Sequence, residues 1–166
     1  HLSIRRQRQM CIRDRVSLDW QLREIPIGKA EIEMEGPDVG IIALGHHVNT
    51  ARNAAKELAH YGIKASVINA RFAKPLDRDL ITEIASKTSH ILTIEENSLA
   101  GGFGSAVLEC LSDNGIVSVK VCRLGLPDRF VKHGSQKTLR KSVGLDVPSI
   151  VDSVRSMIKS KETKLV

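Results

Sequence analysis

The feature that most constrains this chain is an apolar pattern that alternates between strand and helix spacing from residue 38 onward. Short continuous apolar runs are typical of strands that are buried on both faces. These runs occupy residues 39–45, 65–69, 90–95 and 117–124. Each is followed by a segment whose apolar residues recur three or four positions apart, which is the spacing of one buried helix face. The alternation predicts an α/β fold of three layers, αβα, with a mostly parallel sheet of about five strands.

The same alternation separates a folded domain from flanking segments. We expect the domain to cover residues 38–160, with a lead-in that contains one edge strand over residues 16–37. Residues 1–15 begin without methionine and lack an apolar period, so we interpret them as a basic, non-native tail joined to a truncated reading frame. Residues 161–166 are expected to form a second tail.

The charge distribution argues against a nucleic-acid-binding domain. Residues 1–15 carry five arginines and one aspartate, which is +4 of the chain's net charge of +6. A basic arm that binds nucleic acid remains an alternative for that tail. The rest of the chain lacks the strong positive field that binds phosphate backbones.

The cysteines and the hydropathy exclude two further classes of protein. Cys11, Cys110 and Cys122 show no CxxC pair and no metal-binding spacing with the histidines. Cys110 and Cys122 lie in apolar patterns, so we expect buried thiols in a reducing compartment. No apolar run approaches the roughly 20 residues that a membrane span requires.

Two adjacent carboxylates precede a glycine cluster that opens a helix. Neighbouring strand residues point to opposite faces, so Glu95 and Glu96 are not expected to share one site. We expect one of them to face a partner, and the other to pair with a cation or cap a helix. Gly101, Gly102 and Gly104 allow a positive φ and a close approach of the backbone.

A dinucleotide site at this glycine cluster is disfavoured. The run from Gly102 to Gly104 resembles half of a G-x-G-x-x-G fingerprint, but the sixth position is Val107. The acidic residues precede the loop, whereas the acid that binds ribose should follow it by about twenty residues. No P-loop sequence occurs in the chain.

The segment 71–77 follows the second predicted strand at its carboxyl end. Arg71 and Lys74 are candidates for phosphate binding there, because open α/β sheets place ligands at that edge. The alternative is that Arg71 forms a salt bridge across an interface and that Asp77 caps the next helix.

The segment 126–135 is expected to be a loop with one aromatic anchor. His133 is a candidate acid or base, and the alternative is a hydrogen bond that orders the loop. Gly134 and Ser135 are expected to open the next helix. The pair His46 and His47 is expected to be an exposed helix start.

Three motifs taken together resemble the 1-deoxy-D-xylulose-5-phosphate synthase family. They are RFAKPLD at 71–77, EEN and GGFGS within 95–105, and LPDRF with HG within 126–134. The lead-in at 25–30 is also similar to that family's entry into its last domain. The resemblance implies a transketolase C-terminal-domain-like fold over about residues 22–160.

The resemblance further implies a parent transferase that uses thiamine diphosphate and Mg²⁺. Such an enzyme joins pyruvate to glyceraldehyde 3-phosphate with loss of carbon dioxide, in isoprenoid precursor synthesis. The implied partners are the remaining domains and a second subunit of a homodimer, in the cytoplasm or a plastid stroma. The motifs for the cofactor and the catalytic residues of that family are absent from this chain, so we expect it to be inactive alone.

The residues expected at the interface with those partners lie in or beside the three motifs. They are Arg71, Glu95, Glu96, Gly101, Gly102, Phe103, Gly104, Asp128 and His133. No residue is expected to be catalytic, to bind cofactor or to ligate a metal. The alternative interpretation is a free-standing α/β docking or regulatory module related to the same domains.

Overall fold

A computed structural model describes residues 24–131 and 133–159. The expected tails at 1–15 and 161–166, and the first part of the lead-in, lie outside these residues. The strands are β1 (Glu31–Met34), β2 (Val39–Ala43), β3 (Ala65–Asn69), β4 (His90–Ser98) and β5 (Lys120–Leu126). The helices are α1 (His47–His60), α2 (Arg78–Lys87), α3 (Phe103–Asp113), α4 (Gln136–Ser142) and α5 (Val147–Lys159).

The five strands form one sheet in the order β1-β3-β2-β4-β5. The last four in the chain are parallel, and β1 pairs with β3 in the antiparallel sense at the edge. The predicted α/β class with a mostly parallel sheet of five strands is therefore confirmed, and β1 lies at the edge of the sheet. The direction of winding reverses between β2 and β4, which is the position where open sheets of this kind place ligands.

The core has two apolar layers, one on each face of the sheet, because successive strand residues point to opposite sides. Ile41, Leu92 and Ile94 pack with α1 and α5 on one face. Ile42 and Ile91 pack with α2 and α3 on the other face. The predicted three-layer arrangement follows from this alternation.

Limits were wrong in three predicted strands. The strand predicted at 39–45 ends at Ala43. The strand predicted at 117–124 begins at Lys120, and Val117 lies 89% exposed before it. The strand predicted at 90–95 continues to Ser98, because Ser98 pairs with Leu126 after an irregularity in the β4–β5 register. Apolar content alone does not distinguish a strand from the loop that leads into it.

Two predicted helix starts are confirmed by their caps. The Asp77 side chain accepts a hydrogen bond from the Leu80 amide at the start of α2. The Ser135 hydroxyl accepts one from the Thr138 amide at the start of α4. Each satisfies a backbone N–H that has no partner inside its helix.

Candidate functional site

Glu95 lies within the second half of β4, and its side chain caps the N-terminus of α3. Its side chain is 0% exposed, and its two carboxylate oxygens accept hydrogen bonds from the amides of Phe103, at 2.7 Å, and Gly104, at 2.8 Å. Gly102, the N-cap residue just before α3, has no side chain that could accept a hydrogen bond from the helix amides. Free amides and the helix dipole make such an N-terminus an anion site. In this chain the anion is the protein's own carboxylate.

The glycines around this carboxylate serve different purposes. Only Gly101 has a positive φ, of +70°, and it faces open space. A Cβ on Gly102 would collide with the Ser98 carbonyl oxygen and the Glu95 carboxylate, and one on Gly104 would lie 2.6 Å from the Thr93 hydroxyl. The expected positive φ is thus confirmed at Gly101, whereas the other two positions need glycine for close approach.

Glu95 and Phe103 are buried inside the chain, as is Gly104. Phe103 belongs to the core layer with α2 and α3. These three positions have almost no exposed surface to offer a partner, in contrast to what the motifs suggest. These residues are buried because the β4–α3 turn folds inward around the Glu95 carboxylate, which caps α3.

Glu96 points to the opposite face of β4, as expected for the next residue in a strand. Its side chain is 47% exposed, and Oε1 accepts a hydrogen bond from Nε of Arg140 in α4 at 3.0 Å. Nε2 of His47, at the start of α1, lies 3.8 Å from the same oxygen. Glu96, His47 and Arg140 thus meet at the switch point between β2 and β4.

His47 is 0% exposed, so the expectation of an exposed histidine pair is wrong for this residue. The ring packs at the first turn of α1, whereas His46 remains exposed. Burial lowers the pKa of His47, the charges of Arg140 and His46 lower it further, and Glu96 alone raises it. The net effect favours the neutral imidazole over the imidazolium.

Arg71 lies just past β3 with a φ of +56°, the only positive value at a non-glycine residue in the described part of the chain. Its amide donates to the Asn69 side-chain oxygen at 3.1 Å, which orders the turn. Its guanidinium pairs with Glu31 of β1. The salt bridge expected across an interface is thus formed within this chain.

Asp77 joins the loop after β3 to the lead-in. Besides capping α2, its carboxylate accepts a hydrogen bond from the Ala30 amide at 2.9 Å and lies 3.5 Å from the ammonium of Lys29. Burial tends to raise the pKa of Asp77, but the amides of Ala30 and Leu80 and the charge of Lys29 outweigh it and lower the pKa.

The loop after β5 is exposed at the carboxyl ends of the parallel strands, the same edge of the sheet as the loops after β3 and β4. Asp128 and His133 are both exposed, and Phe130 is exposed to its full extent. A cleft of about 410 Å³ lies on the same edge beside the glycine cluster, and Lys74 lines it with Gly101 and Gly102. Arg71, Gly101, Asp128 and His133 all follow parallel strands at their carboxyl ends, so they share this edge.

Sequence reasoning missed His47 and Arg140. Neither lies in a motif, and the 92 residues between them carry no periodic signal that links them. Within residues 24–131 and 133–159, no group of three or more histidine, cysteine, aspartate or glutamate side chains is placed to hold a metal ion. None of the helices described is long and apolar enough to cross a membrane.

The comparisons with a family model and with known protein sequences point to the same group of proteins. The family described as transketolase, C-terminal domain, matches residues 28–150. The chain is 53% identical over 146 residues to 1-deoxy-D-xylulose-5-phosphate synthase 1 of Geobacter sulfurreducens, which covers 88% of this chain and 23% of that protein. It is 56% identical over 128 residues to the synthase of Thermomicrobium roseum, covering 77% of this chain and 20% of that protein. The chain thus spans about a quarter of the length of these relatives or less.

Solved structures show the same fold. A split-gene transketolase, described as an inactive beta4 tetramer, has a TM-score of 0.77 at 35% identity, over 82% of this chain and 44% of that chain. A transketolase mutant from Pichia stipitis has a TM-score of 0.59 at 20% identity, over 80% of this chain and 18% of that chain. The two-layer core, the strand order and the matched residues lead to one assignment: the chain belongs to the transketolase C-terminal domain family.

Proposed function

We propose that this chain is the C-terminal domain of a larger transferase of the 1-deoxy-D-xylulose-5-phosphate synthase type. The parent would use thiamine diphosphate and Mg²⁺ to join pyruvate to glyceraldehyde 3-phosphate, releasing carbon dioxide. It would work as a homodimer in the cytoplasm or a plastid stroma. Identities of 53% and 56% to two synthases, over about a quarter of their length or less, support this proposal.

The single observation that carries the domain's role is the internal cap by Glu95. A bound diphosphate needs free amides or cations, and its Mg²⁺ needs oxygen ligands. The amides of Phe103 and Gly104 already bind the Glu95 carboxylate, and no metal-binding cluster lies among the residues described. The occupied amides at this turn support placing the cofactor in the rest of the parent enzyme.

The domain's role in this proposal is to complete the subunit and bury surface against its other domains and the second subunit. The exposed loops at the carboxyl edge of the sheet are the contact surface, with Gly101, Asp128, Phe130 and His133. Phe130 and the adjacent Val131 support this assignment, because both are exposed apolar side chains in one loop, and contiguous exposed apolar surface is typical of sites that become buried on assembly. Arg71 and Glu96, held by Glu31 and Arg140, position the neighbouring backbone.

A domain exchange tests this role. Residues 24–159 would replace the corresponding segment of the Geobacter sulfurreducens synthase, and carbon dioxide release from pyruvate would be measured with glyceraldehyde 3-phosphate present. We expect an active chimera, because 53% identity preserves the fold and most contacts. A folded but inactive chimera would argue against the proposal.

Calorimetric titration provides the matched control. Thiamine diphosphate with Mg²⁺ would be titrated into the full 166-residue chain and into the chimera, and binding is expected only in the chimera. Binding to the chain alone would contradict the proposed division of roles. A folded chain that binds no cofactor and also fails to restore activity in the chimera would favour the alternative, a free-standing docking or regulatory module.

A further inference from the structure

His47 is a buried titratable group that the proposed function does not use. Its side chain is 0% exposed, and neither ring nitrogen has a hydrogen-bond partner. Nε2 lies 3.8 Å from Oε1 of Glu96, which is beyond hydrogen-bond distance but close enough for strong interaction between charges. An unpartnered buried imidazole beside a carboxylate requires an explanation.

The same Glu96 oxygen attaches α4 to the sheet. Nε of Arg140 donates to Oε1 at 3.0 Å. Helix α4 has no buried residue, and the segments 128–131 and 133–135 that precede it are exposed. On its other side the chain returns to the core at Leu145, which is 0% exposed. The helix therefore has few buried contacts and is anchored to the core only at its C-terminal end. Segments of this kind open locally at a low cost in free energy.

We propose that His47 makes the attachment of α4 sensitive to pH: protonation of its imidazole favours a state in which Arg140 has left Glu96, and α4 with the preceding loop has moved away from the sheet. The proton comes from solvent, and no covalent step is involved. The inference concerns this chain alone and does not depend on the identity of the parent enzyme.

The direction follows from the charges around the ring. The groups that act on His47 are Glu96 from β4, Arg140 from α4 and His46 at the start of α1. Burial and Arg140 both lower the pKa of His47, and the departure of α4 removes the Arg140 charge from beside the ring. Glu96 stays on β4 and continues to favour the imidazolium. The open state therefore binds the proton more tightly, and acid shifts the equilibrium toward it.

Hydrogen exchange of the full chain tests this inference. Amide protection of residues 136–142 would be measured at pH 7.5, 6.5 and 5.5 and corrected for the intrinsic exchange rate. Ordinary carboxylates stay ionised over this range. We expect the protection factors in α4 to fall about two- to fivefold at the lowest pH. This is the change in the opening equilibrium that the loss of one exposed ion pair produces. Protection in β2 should not change.

Variants separate His47 from the other histidines. His47→Gln should abolish the pH dependence in α4, whereas His46→Gln and His133→Gln should retain it. If His47→Gln does not fold, Arg140→Gln provides the second route: it should show low α4 protection at all three pH values. Wild-type protection that does not change with pH, or a pH dependence that survives in His47→Gln, would overturn the inference.

Discussion

Replacing Glu95 with glutamine should be one of the most destabilising isosteric changes in this domain. The wild-type carboxylate accepts from two buried amides, at 2.7 Å and 2.8 Å. A glutamine side chain has the same shape, but its NH₂ group must face one of these N–H donors. Hydrogen bonds to a charged group are each worth about 1.5–3 kcal/mol, and an orphaned buried donor costs about 1–3 kcal/mol. We therefore expect Glu95→Gln to lower the free energy of unfolding by about 3 kcal/mol.

Equilibrium unfolding in urea at pH 7.5, followed by circular dichroism, measures this loss. With a slope of about 2 kcal/mol per molar urea, the midpoint should fall by about 1.5 M. The matched control is Glu96→Gln at the next position, which removes a half-exposed ion pair and should cost at most about 1 kcal/mol. If Glu95→Gln does not fold, Glu95→Asp keeps the charge on a shorter stem and should give an intermediate loss. Equal losses at positions 95 and 96 would refute the capping argument.

Further substitutions test the remaining contacts. Asp77→Asn should cost about 1–3 kcal/mol through the cap and the anchor to the lead-in, and Asp79→Asn, exposed beside it, at most about 0.5 kcal/mol by the same urea titration. Because the pKa of Asp77 is lowered in the folded state, its contribution is present above the ordinary value of 3.8 and is lost as pH falls through the folded pKa. The difference from Asp77→Asn should thus shrink in acid, and a constant difference down to pH 2 would contradict it. Gly102→Ala should lower the free energy of unfolding by about 3 kcal/mol, because the added Cβ would collide with the Ser98 backbone. Gly101→Ala should lower it by about 1 kcal/mol, because only the positive φ opposes the change. A lower melting temperature for Gly101→Ala than for Gly102→Ala would contradict this geometry. Phe130→Ser should change the stability of the chain by less than about 0.5 kcal/mol but weaken subunit assembly of the chimera in light scattering, and unchanged assembly would remove Phe130 from the contact surface.

The sequence predicted the architecture well because strands that are buried on both faces are continuous apolar runs. A run such as 39–45 is apolar at every position only if both sides of the strand are covered, and the helices between such runs supply the cover. Helix starts were equally local: Asp77 and Ser135 cap helices that begin at the next residue. Limits such as the start of β5 were less certain, since Val117 is apolar yet exposed.

The candidate site was only partly readable in the sequence. Period-two geometry separated Glu95 from Glu96, and the glycine pattern marked the β4–α3 turn. The sequence could not show that Glu95 is the anion at that turn, because the amides it binds lie eight and nine positions later. It could not show that Arg71 pairs with Glu31 either, because that contact depends on the antiparallel register of β1 on β3.

Residue order by itself determined the fold class, the two-layer core and the caps at Asp77 and Ser135, since each rests on spacing within or directly beside one element. Only the tertiary structure decided which charges meet: it brought His47, Glu96 and Arg140 from three elements to the switch point of the sheet. The physical reason is distance along the chain. Periodicity and capping act within a few residues, whereas the pKa of a buried imidazole depends on groups that folding brings from almost a hundred residues away.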